Sequence, residues 1–162
     1  MVIILMGVSG SGKTTVGQLL ARSLNWTFYD GDDFHPPANI DKMRQGIPLT
    51  DDDRDSWLTA LQHLIDDLLQ QDRSAVLACS ALKHTYRDRL QRNKEEVRFV
   101  YLKGNYDLIR QRLTIRQGHF MHADLLESQF ATLEEPQGVL IVDITQSPET
   151  IVDTIKTGFL LV

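Results

Sequence analysis

The sequence predicts an α/β protein of three layers, in which a five-stranded parallel sheet lies between helices. The first sign is a series of short apolar runs suited to buried strands, at Val2–Met6, Thr27–Tyr29, Ala75–Cys79, Arg98–Leu102 and Val139–Val142. The second is that stretches with helical spacing separate these runs, and such alternation is typical of a parallel sheet covered on both faces. The length of 162 residues suits a single domain with a sizeable core.

The clearest helix is predicted between Asp51 and Gln71. Three aspartates open this stretch, where acidic residues favour a helix N-terminus. Its apolar stripe comprises Trp57, Leu58, Leu61, Leu64, Ile65, Leu68 and Leu69. Two stretches punctuated by Pro and Gly, at about 31–50 and 117–136, are predicted to be irregular inserts at the ligand-binding edge of the sheet. No linker or repeat divides residues 1–162, so we expect one domain.

The composition excludes several classes of protein. No apolar run approaches the ~20 residues that a membrane span needs, and Val2–Met6 is too short for a secretory signal. The net charge of −5 argues against general affinity for nucleic acid. Cys79 is the single cysteine, which rules out an internal disulfide or a cysteine metal cluster. We therefore expect a cytoplasmic protein with neither a membrane nor a nucleic-acid partner.

Residues 7–14 match the phosphate-binding P-loop pattern G-x-x-x-x-G-K-S/T. A strand-like run precedes the motif and a helical pattern follows it, which is the arrangement that this motif requires. Backbone N–H groups of such a loop point at a polyphosphate, the Lys13 ammonium reaches the terminal phosphates, and the Thr14 hydroxyl is placed to bind Mg²⁺. The predicted nucleotide ligands here are Gly7, Ser9, Gly10, Ser11, Gly12, Lys13, Thr14 and Thr15.

An acidic turn, Asp30-Gly31-Asp32-Asp33, follows the second predicted strand. A carboxylate there can hold the metal ion, directly or through water, or accept the proton of an attacking hydroxyl. Asp32 is the better candidate for contact with the substrate, and the sequence leaves open whether Asp30 or Asp32 lies on the metal side. A solvated turn is the alternative, since Asp and Gly are common turn residues.

Basic residues stand at predicted strand ends and helix starts. Arg54, Lys83 and Arg87 could bind an anionic substrate, and arginine binds a carboxylate through two hydrogen bonds. Surface charges with local partners are the alternative.

Further on, Arg112 and Arg116 lie four residues apart near a predicted helix end, where they suit a closing lid that meets nucleotide phosphates and excludes water. The alternative is that both arginines only stabilise the C-terminal end of the helix.

A P-loop with a carboxylate, an anion clamp and a lid indicates a small-molecule kinase. The chain resembles the gluconokinases along nearly its whole length. Asp-Gly-Asp at 30–32 with His-Pro at 35–36, Asp-Asp-Arg at 52–54 with Trp-Leu at 57–58, Ser-Ala-Leu-Lys at 80–83 and Gly-His-Phe-Met at 118–121 are together specific to that family. The P-loop itself is shared by many families.

The resemblance implies ATP- and Mg²⁺-dependent phosphorylation of D-gluconate at its C6 hydroxyl. It also implies a P-loop fold like that of adenylate and shikimate kinases, a mobile lid and a homodimer. By similarity to shikimate kinase, the residues placed around gluconate are Asp32, His35, Arg54, Lys83, Arg87 and Gln129. The implied catalytic residues are Lys13, Asp32 and Arg116, with Thr14 and Asp30 on the metal.

Two alternatives remain open at the level of sequence. One is a kinase of the same fold that acts on shikimate, a nucleoside monophosphate or another sugar acid. The other is a nucleotide-gated binding module without an acceptor substrate. A panel of acceptors in an ADP-release assay distinguishes these alternatives.

Overall fold

A computed structural model describes residues 1–115 and 125–162 of the chain. The strands are β1 (Val2–Met6), β2 (Thr27–Asp30), β3 (Ala75–Ala78), β4 (Val97–Lys103) and β5 (Leu140–Asp143). The helices are α1 (Lys13–Leu24), α2 (Pro37–Arg44), α3 (Asp51–Gln70), α4 (His84–Leu90), α5 (Tyr106–Ile115), α6 (Leu125–Thr132) and α7 (Pro148–Gly158), with a short 3₁₀ helix at Gly31–Phe34. In these two ranges no helix has the length and apolar character that crossing a membrane requires.

The five strands form one parallel sheet in the order β2-β3-β1-β4-β5. Ile4 in the central strand β1 pairs with Leu77 of β3 on one side and with Phe99 of β4 on the other. Because all strands run the same way, the loops after β1, β2 and β3 emerge side by side at one edge of the sheet. This edge brings the P-loop, the acidic turn and the segment at 80–83 together.

The alternation of side chains along β1 sends them into two separate cores. Ile3 and Leu5 face a core formed with α1, α5 and α7, whereas Val2, Ile4 and Met6 face a core formed with α3 and α4. All five side chains are fully buried. This arrangement confirms the predicted three layers, with the strands buried on both faces as parallel sheets require.

Helix α3 begins where the sequence predicted. The Thr50 side chain accepts a hydrogen bond from the Asp53 backbone N–H, and the Asp53 carboxylate accepts one from the Thr50 backbone N–H. This reciprocal pair satisfies two of the N–H groups that a helix start leaves unpaired. The Thr50 N–H and the Lys42 ammonium hold the pKa of Asp53 down, at about 2. The capped end fixes the position from which Arg54 projects.

The prediction of an irregular insert at 31–50 is wrong in one respect, since most of it is helical. The Asp30 side chain accepts a hydrogen bond from the Asp32 N–H and so caps the 3₁₀ helix. Pro37 then suits the first position of α2, where no backbone N–H is needed. Gly31 lets this turn lie against β3, because a Cβ there would come within 2.6 Å of the Ala78 carbonyl oxygen.

The predicted lid, 117–136, lies partly outside the described residues. Within the described part, 125–132 form α6. Leu125 of this helix packs against Met43 and Leu49 of the insert in a small third core. The two predicted inserts therefore contact each other on one side of the sheet edge.

Candidate active site

A cleft of about 400 Å³ opens at the carboxyl edge of the sheet. Its floor is the P-loop, and its walls come from the 3₁₀ helix, α2, α3, α6 and the ends of α5 and β5. The predicted site residues that line it are Ser9, Gly10, Ser11, Gly12, Lys13, Thr14, Thr15, Asp30, Asp32, His35, Arg54, Arg112 and Gln129. Most of the predicted site is therefore brought into one cavity.

The P-loop has the backbone shape needed to surround an anion. Gly12 precedes the first residue of α1 with φ of 97°, a left-handed conformation that a residue with a side chain rarely adopts. The Lys13 ammonium donates to the carbonyl oxygens of Gly7 and Val8, at 2.9 and 3.0 Å. These contacts hold the positive charge across the loop, beside the positive end of the α1 dipole.

Helix α6 contacts the P-loop directly. The Ser9 backbone N–H donates to the Gln129 side-chain oxygen at 2.7 Å. Gln129 was predicted as a substrate ligand. Its side-chain oxygen here accepts a hydrogen bond from an N–H group that could otherwise bind a phosphate oxygen. Ser128 and Leu125 of the same helix also line the cleft. This contact ties the described part of the predicted lid to the phosphate loop.

The two carboxylates of the acidic turn have different neighbours. The Asp30 carboxylate accepts a hydrogen bond from the Thr14 hydroxyl at 3.4 Å and another from the Asp32 backbone N–H at 3.0 Å. Asp30 is thus on the P-loop side of the turn, and both Asp30 and Asp32 line the cleft. Asp30 is the one of the two whose carboxylate contacts the P-loop threonine, Thr14.

Thr14 and Asp30 fit a magnesium ion in the chemistry of their donors. Mg²⁺ prefers oxygen ligands, and it is usually held by one or two carboxylates or hydroxyls together with substrate phosphates and water. Across the described ranges, no group of three or more His, Cys, Asp and Glu side chains forms a metal cluster. Two adjacent oxygen donors beside a phosphate-binding loop suit an Mg²⁺ ion that binds together with the nucleotide.

Arg54 reaches the cleft from the first turns of α3 and is held by a hydrogen-bonded network. Its guanidinium donates to the Tyr86 hydroxyl at 3.0 Å, and that hydroxyl donates to the Asp51 carboxylate. Lys83 donates to the same carboxylate at 2.9 Å. The hydrogen bonds from Tyr86 and Lys83 lower the pKa of Asp51, and the bond to Asp51 raises the pKa of Lys83.

Lys83 and Arg87 do not line the cleft. Lys83 is paired with Asp51 at the surface. The Arg87 guanidinium is buried and donates to the carbonyl oxygens of Ala81, Leu82 and Glu134, at 2.8, 3.1 and 2.8 Å. The four-residue spacing correctly placed both on one helix start, but it could not show that backbone carbonyls take up the Arg87 donors. The structure gives Arg87 the role of joining the segment after α6 to the loop after β3.

His35 and Trp57 form a stacked pair in the wall of the cleft. Their ring centroids are 4.4 Å apart and their planes differ by 13°. The Trp57 indole N–H donates to the Gly31 carbonyl at 2.7 Å, which fixes the ring on which His35 lies. Burial, with the nearby Arg54 charge, lowers the pKa of His35 to about 4, so its imidazole is neutral near pH 7.

The sequence did not predict the roles of Trp57, Asn39 and Tyr86. Trp57 was assigned to the apolar stripe of α3, which accounts for its burial but not for its contact with His35. Asn39 lies in α2, whereas His35 precedes that helix in extended backbone, so helical spacing did not indicate their contact.

Arg112 lies beside the P-loop, where its guanidinium donates to the Ile144 carbonyl at 2.8 Å. It belongs to α5, so its predicted position on a helix is confirmed. Arg116, predicted as the second lid arginine and a catalytic residue, lies outside the described residues.

Comparison with known proteins shows where this arrangement recurs. The family model of shikimate kinase matches residues 9–155. The thermoresistant gluconokinase of Escherichia coli K12 is 44% identical, with 97% of this chain and 94% of that protein aligned.

Two crystal structures resemble the whole chain. A sugar kinase from Janibacter sp. HTCC2649 has a TM-score of 0.89 at 43% identity and covers 96% of this chain and 92% of its own. A gluconokinase from Sinorhizobium meliloti 1021 has a TM-score of 0.85 at 42% identity and covers 98% of this chain and 90% of its own. The chain therefore belongs to the shikimate kinase family of P-loop kinases and, within it, to the gluconokinases.

Proposed function

We propose that this protein transfers the γ-phosphoryl group of ATP to D-gluconate, at the C6 hydroxyl, to give 6-phosphogluconate and ADP. The observation that carries the proposal is that one cleft holds a P-loop lysine, the Asp32 carboxylate and the Arg54 guanidinium. A phosphate donor site, a group that can accept a hydroxyl proton and a carboxylate-binding group are the three requirements for phosphorylating a sugar acid. The gluconokinase relatives support this choice of acceptor.

The nucleotide side of the site is the P-loop with Arg112. Backbone N–H groups of the P-loop bind the phosphates, and the Lys13 ammonium moves from its loop carbonyls to the β- and γ-phosphate oxygens. Thr14 and Asp30 would hold Mg²⁺, which when bound neutralises phosphate charge and orients the terminal phosphoryl group. Arg112 and Arg116 add positive charge around the transferring group.

On the acceptor side, the Asp32 carboxylate orients the attacking hydroxyl and accepts its proton. The Arg54 guanidinium binds the acceptor's carboxylate at the other end of the molecule. The protein thereby supplies positioning and electrostatic stabilisation, since the transition state of phosphoryl transfer is loose. Contacts of gluconate with Lys83, Arg87 and Gln129 stay predictions, as do the homodimer and the cytoplasmic location.

A coupled ADP-release assay with a panel of acceptors tests the proposal. The panel contains D-gluconate, L-idonate, shikimate, glucose, AMP and no acceptor, each with ATP and Mg²⁺. We expect stimulation by gluconate and little above background with glucose, which lacks the carboxylate that Arg54 binds. Stimulation by shikimate or AMP instead would assign another acceptor. ATP binding with no stimulation by any acceptor would favour a nucleotide-gated module and contradict the proposal.

A further inference from the structure

The side-chain amide of Asn39 lies between two acceptors. Asn39 is in the first turn of α2 and is 3% exposed. Its Nδ2 atom is 2.7 Å from the Asp53 carbonyl oxygen and 3.2 Å from His35 Nδ1. A backbone carbonyl can only accept a hydrogen bond, so the atom facing Asp53 must be the amide nitrogen. The orientation of the amide follows from that contact.

This orientation determines the protonation of the His35 ring. An amide nitrogen has hydrogens to donate and no lone pair with which to accept. The contact with His35 Nδ1 therefore requires the ring nitrogen to accept. In a neutral imidazole with an accepting Nδ1, the ring proton is on Nε2.

The surroundings of the ring keep it neutral and fix its position. One face of His35 lies on Trp57, and the Nδ1 edge meets Asn39. The Arg54 guanidinium of α3 and the Asp32 carboxylate of the 3₁₀ helix line the same cleft, while the Asp53 carboxylate nearby is paired with Lys42. Burial and the Arg54 charge both disfavour a second proton on the ring. His35 itself lines the cleft, so the ring can contact a ligand there.

We propose that Asn39 is a positioning residue that holds His35 in the Nε2–H tautomer, so that His35 offers a neutral N–H donor to a hydroxyl oxygen of the acceptor. The inference rests on the proposed function in taking a polyhydroxylated acid as the acceptor. An N–H in this position cannot remove a proton from the attacking hydroxyl, which leaves that task to Asp32. His35 instead recognises a hydroxyl group along the chain of the acceptor.

The tautomer is measured directly in the unmodified protein. Long-range ¹H–¹⁵N NMR of the ¹⁵N-labelled full chain distinguishes the two tautomers, and His35→Gln assigns the His35 signals by their loss. We expect the Nε2–H pattern at neutral pH, with no titration near the ordinary histidine pKa. The Nδ1–H pattern, or titration near that ordinary value, would overturn the proposal. This measurement does not depend on activity or on a stable Asn39 variant.

A double-mutant cycle tests whether Asn39 acts through His35. In Asn39→Asp the side chain can accept from Nδ1–H but cannot donate to Nδ1, so the neutral ring should change to the Nδ1–H tautomer, in which Nε2 can no longer donate to the acceptor. We expect the KM for gluconate to rise by about tenfold, the effect of one hydrogen bond, while the KM for ATP is unchanged. In the His35→Gln background the same substitution should have little further effect on the KM for gluconate.

Two outcomes of the cycle contradict the inference. An equal rise in the KM for gluconate in both backgrounds would show that Asn39 acts independently of His35, for example through α3 and Arg54. Equal losses for gluconate and ATP, with an unchanged His35 NMR pattern, would show a purely structural role. If the unmodified protein does not phosphorylate gluconate, the proposed function fails, whereas the NMR measurement still decides the tautomer.

Discussion

Lys13 is the side chain on which phosphoryl transfer should depend most, because its ammonium stands at the mouth of the loop that binds the phosphates. In Lys13→Ala the charge that develops on the transferring group loses its nearest cation in the P-loop. We expect kcat to fall by about 10²- to 10³-fold, as for the loss of one preorganised electrostatic contact. ADP release with gluconate measures this, and turnover near that of the unmodified protein would refute the assignment.

Arg54 should determine recognition of the acceptor's carboxylate. Arg54→Ala leaves the P-loop intact, so we expect the KM for gluconate to rise by about 10- to 100-fold while the KM for ATP changes little. Arg92→Ala is the matched control, since Arg92 is paired with Asp66 at the surface, away from the cleft. Equal losses for both substrates in Arg54→Ala would indicate damage to the fold instead.

His35 should make the folded state sensitive to acid. Folding lowers its pKa from 6.5 to about 4, so between these values the unfolded chain binds a proton that the folded protein does not. Stability contributed in this way is present above pH 6.5 and is lost as the pH falls towards 4. We expect the unmodified protein to lose up to roughly 3 kcal/mol more than His35→Gln between about pH 7 and pH 4. Urea unfolding at a series of pH values measures the difference, and parallel curves would contradict the pKa shift.

At the scale of elements, Arg87 connects the loop after β3 to the segment after α6. Arg87→Ala would leave three carbonyl oxygens without their charged donor. We expect the free energy of unfolding to fall by about 2–3 kcal/mol, a typical cost for losing hydrogen bonds to a buried charged group. Arg92→Ala should cost well under 1 kcal/mol, because exposed ion pairs contribute little.

Urea unfolding compares the two variants. If Arg87→Ala is as stable as Arg92→Ala but has a raised KM for gluconate, the predicted contact between Arg87 and substrate would be supported over a structural role. The experiment thus distinguishes the predicted contact of Arg87 with substrate from the structural role that its hydrogen bonds to backbone carbonyls indicate.

The elements of this fold could be predicted to different extents. The five strands and α3 were readable, because buried strands and long amphipathic helices carry strong apolar patterns. Helix α2 was not, since it is short and polar and Pro and Gly flank it. The feature that stabilises it is tertiary, namely Met43 packed against Leu49 and Leu125. Sequence spacing alone does not show such a contact.

Within the site, too, some residues could be predicted from the sequence and others could not. The P-loop has a fixed local pattern, so the sequence alone located residues 9–15, all of which line the cleft. The partners of Arg54 and His35 come from other elements, and Tyr86 is 32 residues away from Arg54 in sequence. Only the fold brings such residues together, which is why Arg54 was predicted but the network that orients it was not.

At the scale of the whole molecule, the chain is a P-loop kinase of the gluconokinase family whose proposed phosphate acceptor is a sugar acid rather than water. The P-loop, the acidic turn and Arg54 converge at one edge of a single parallel sheet. The contact between Gln129 and Ser9 joins α6 to that edge. Exclusion of water at this edge favours transfer to the acceptor over hydrolysis.

The most direct test is to follow the fate of the γ-phosphate by ³¹P NMR during turnover with ATP, Mg²⁺ and D-gluconate. We expect a phosphate monoester on the C6 oxygen of gluconate to accumulate in step with ADP, with little inorganic phosphate. Release of inorganic phosphate in step with ADP, with no gluconate ester, would show hydrolysis and contradict the account.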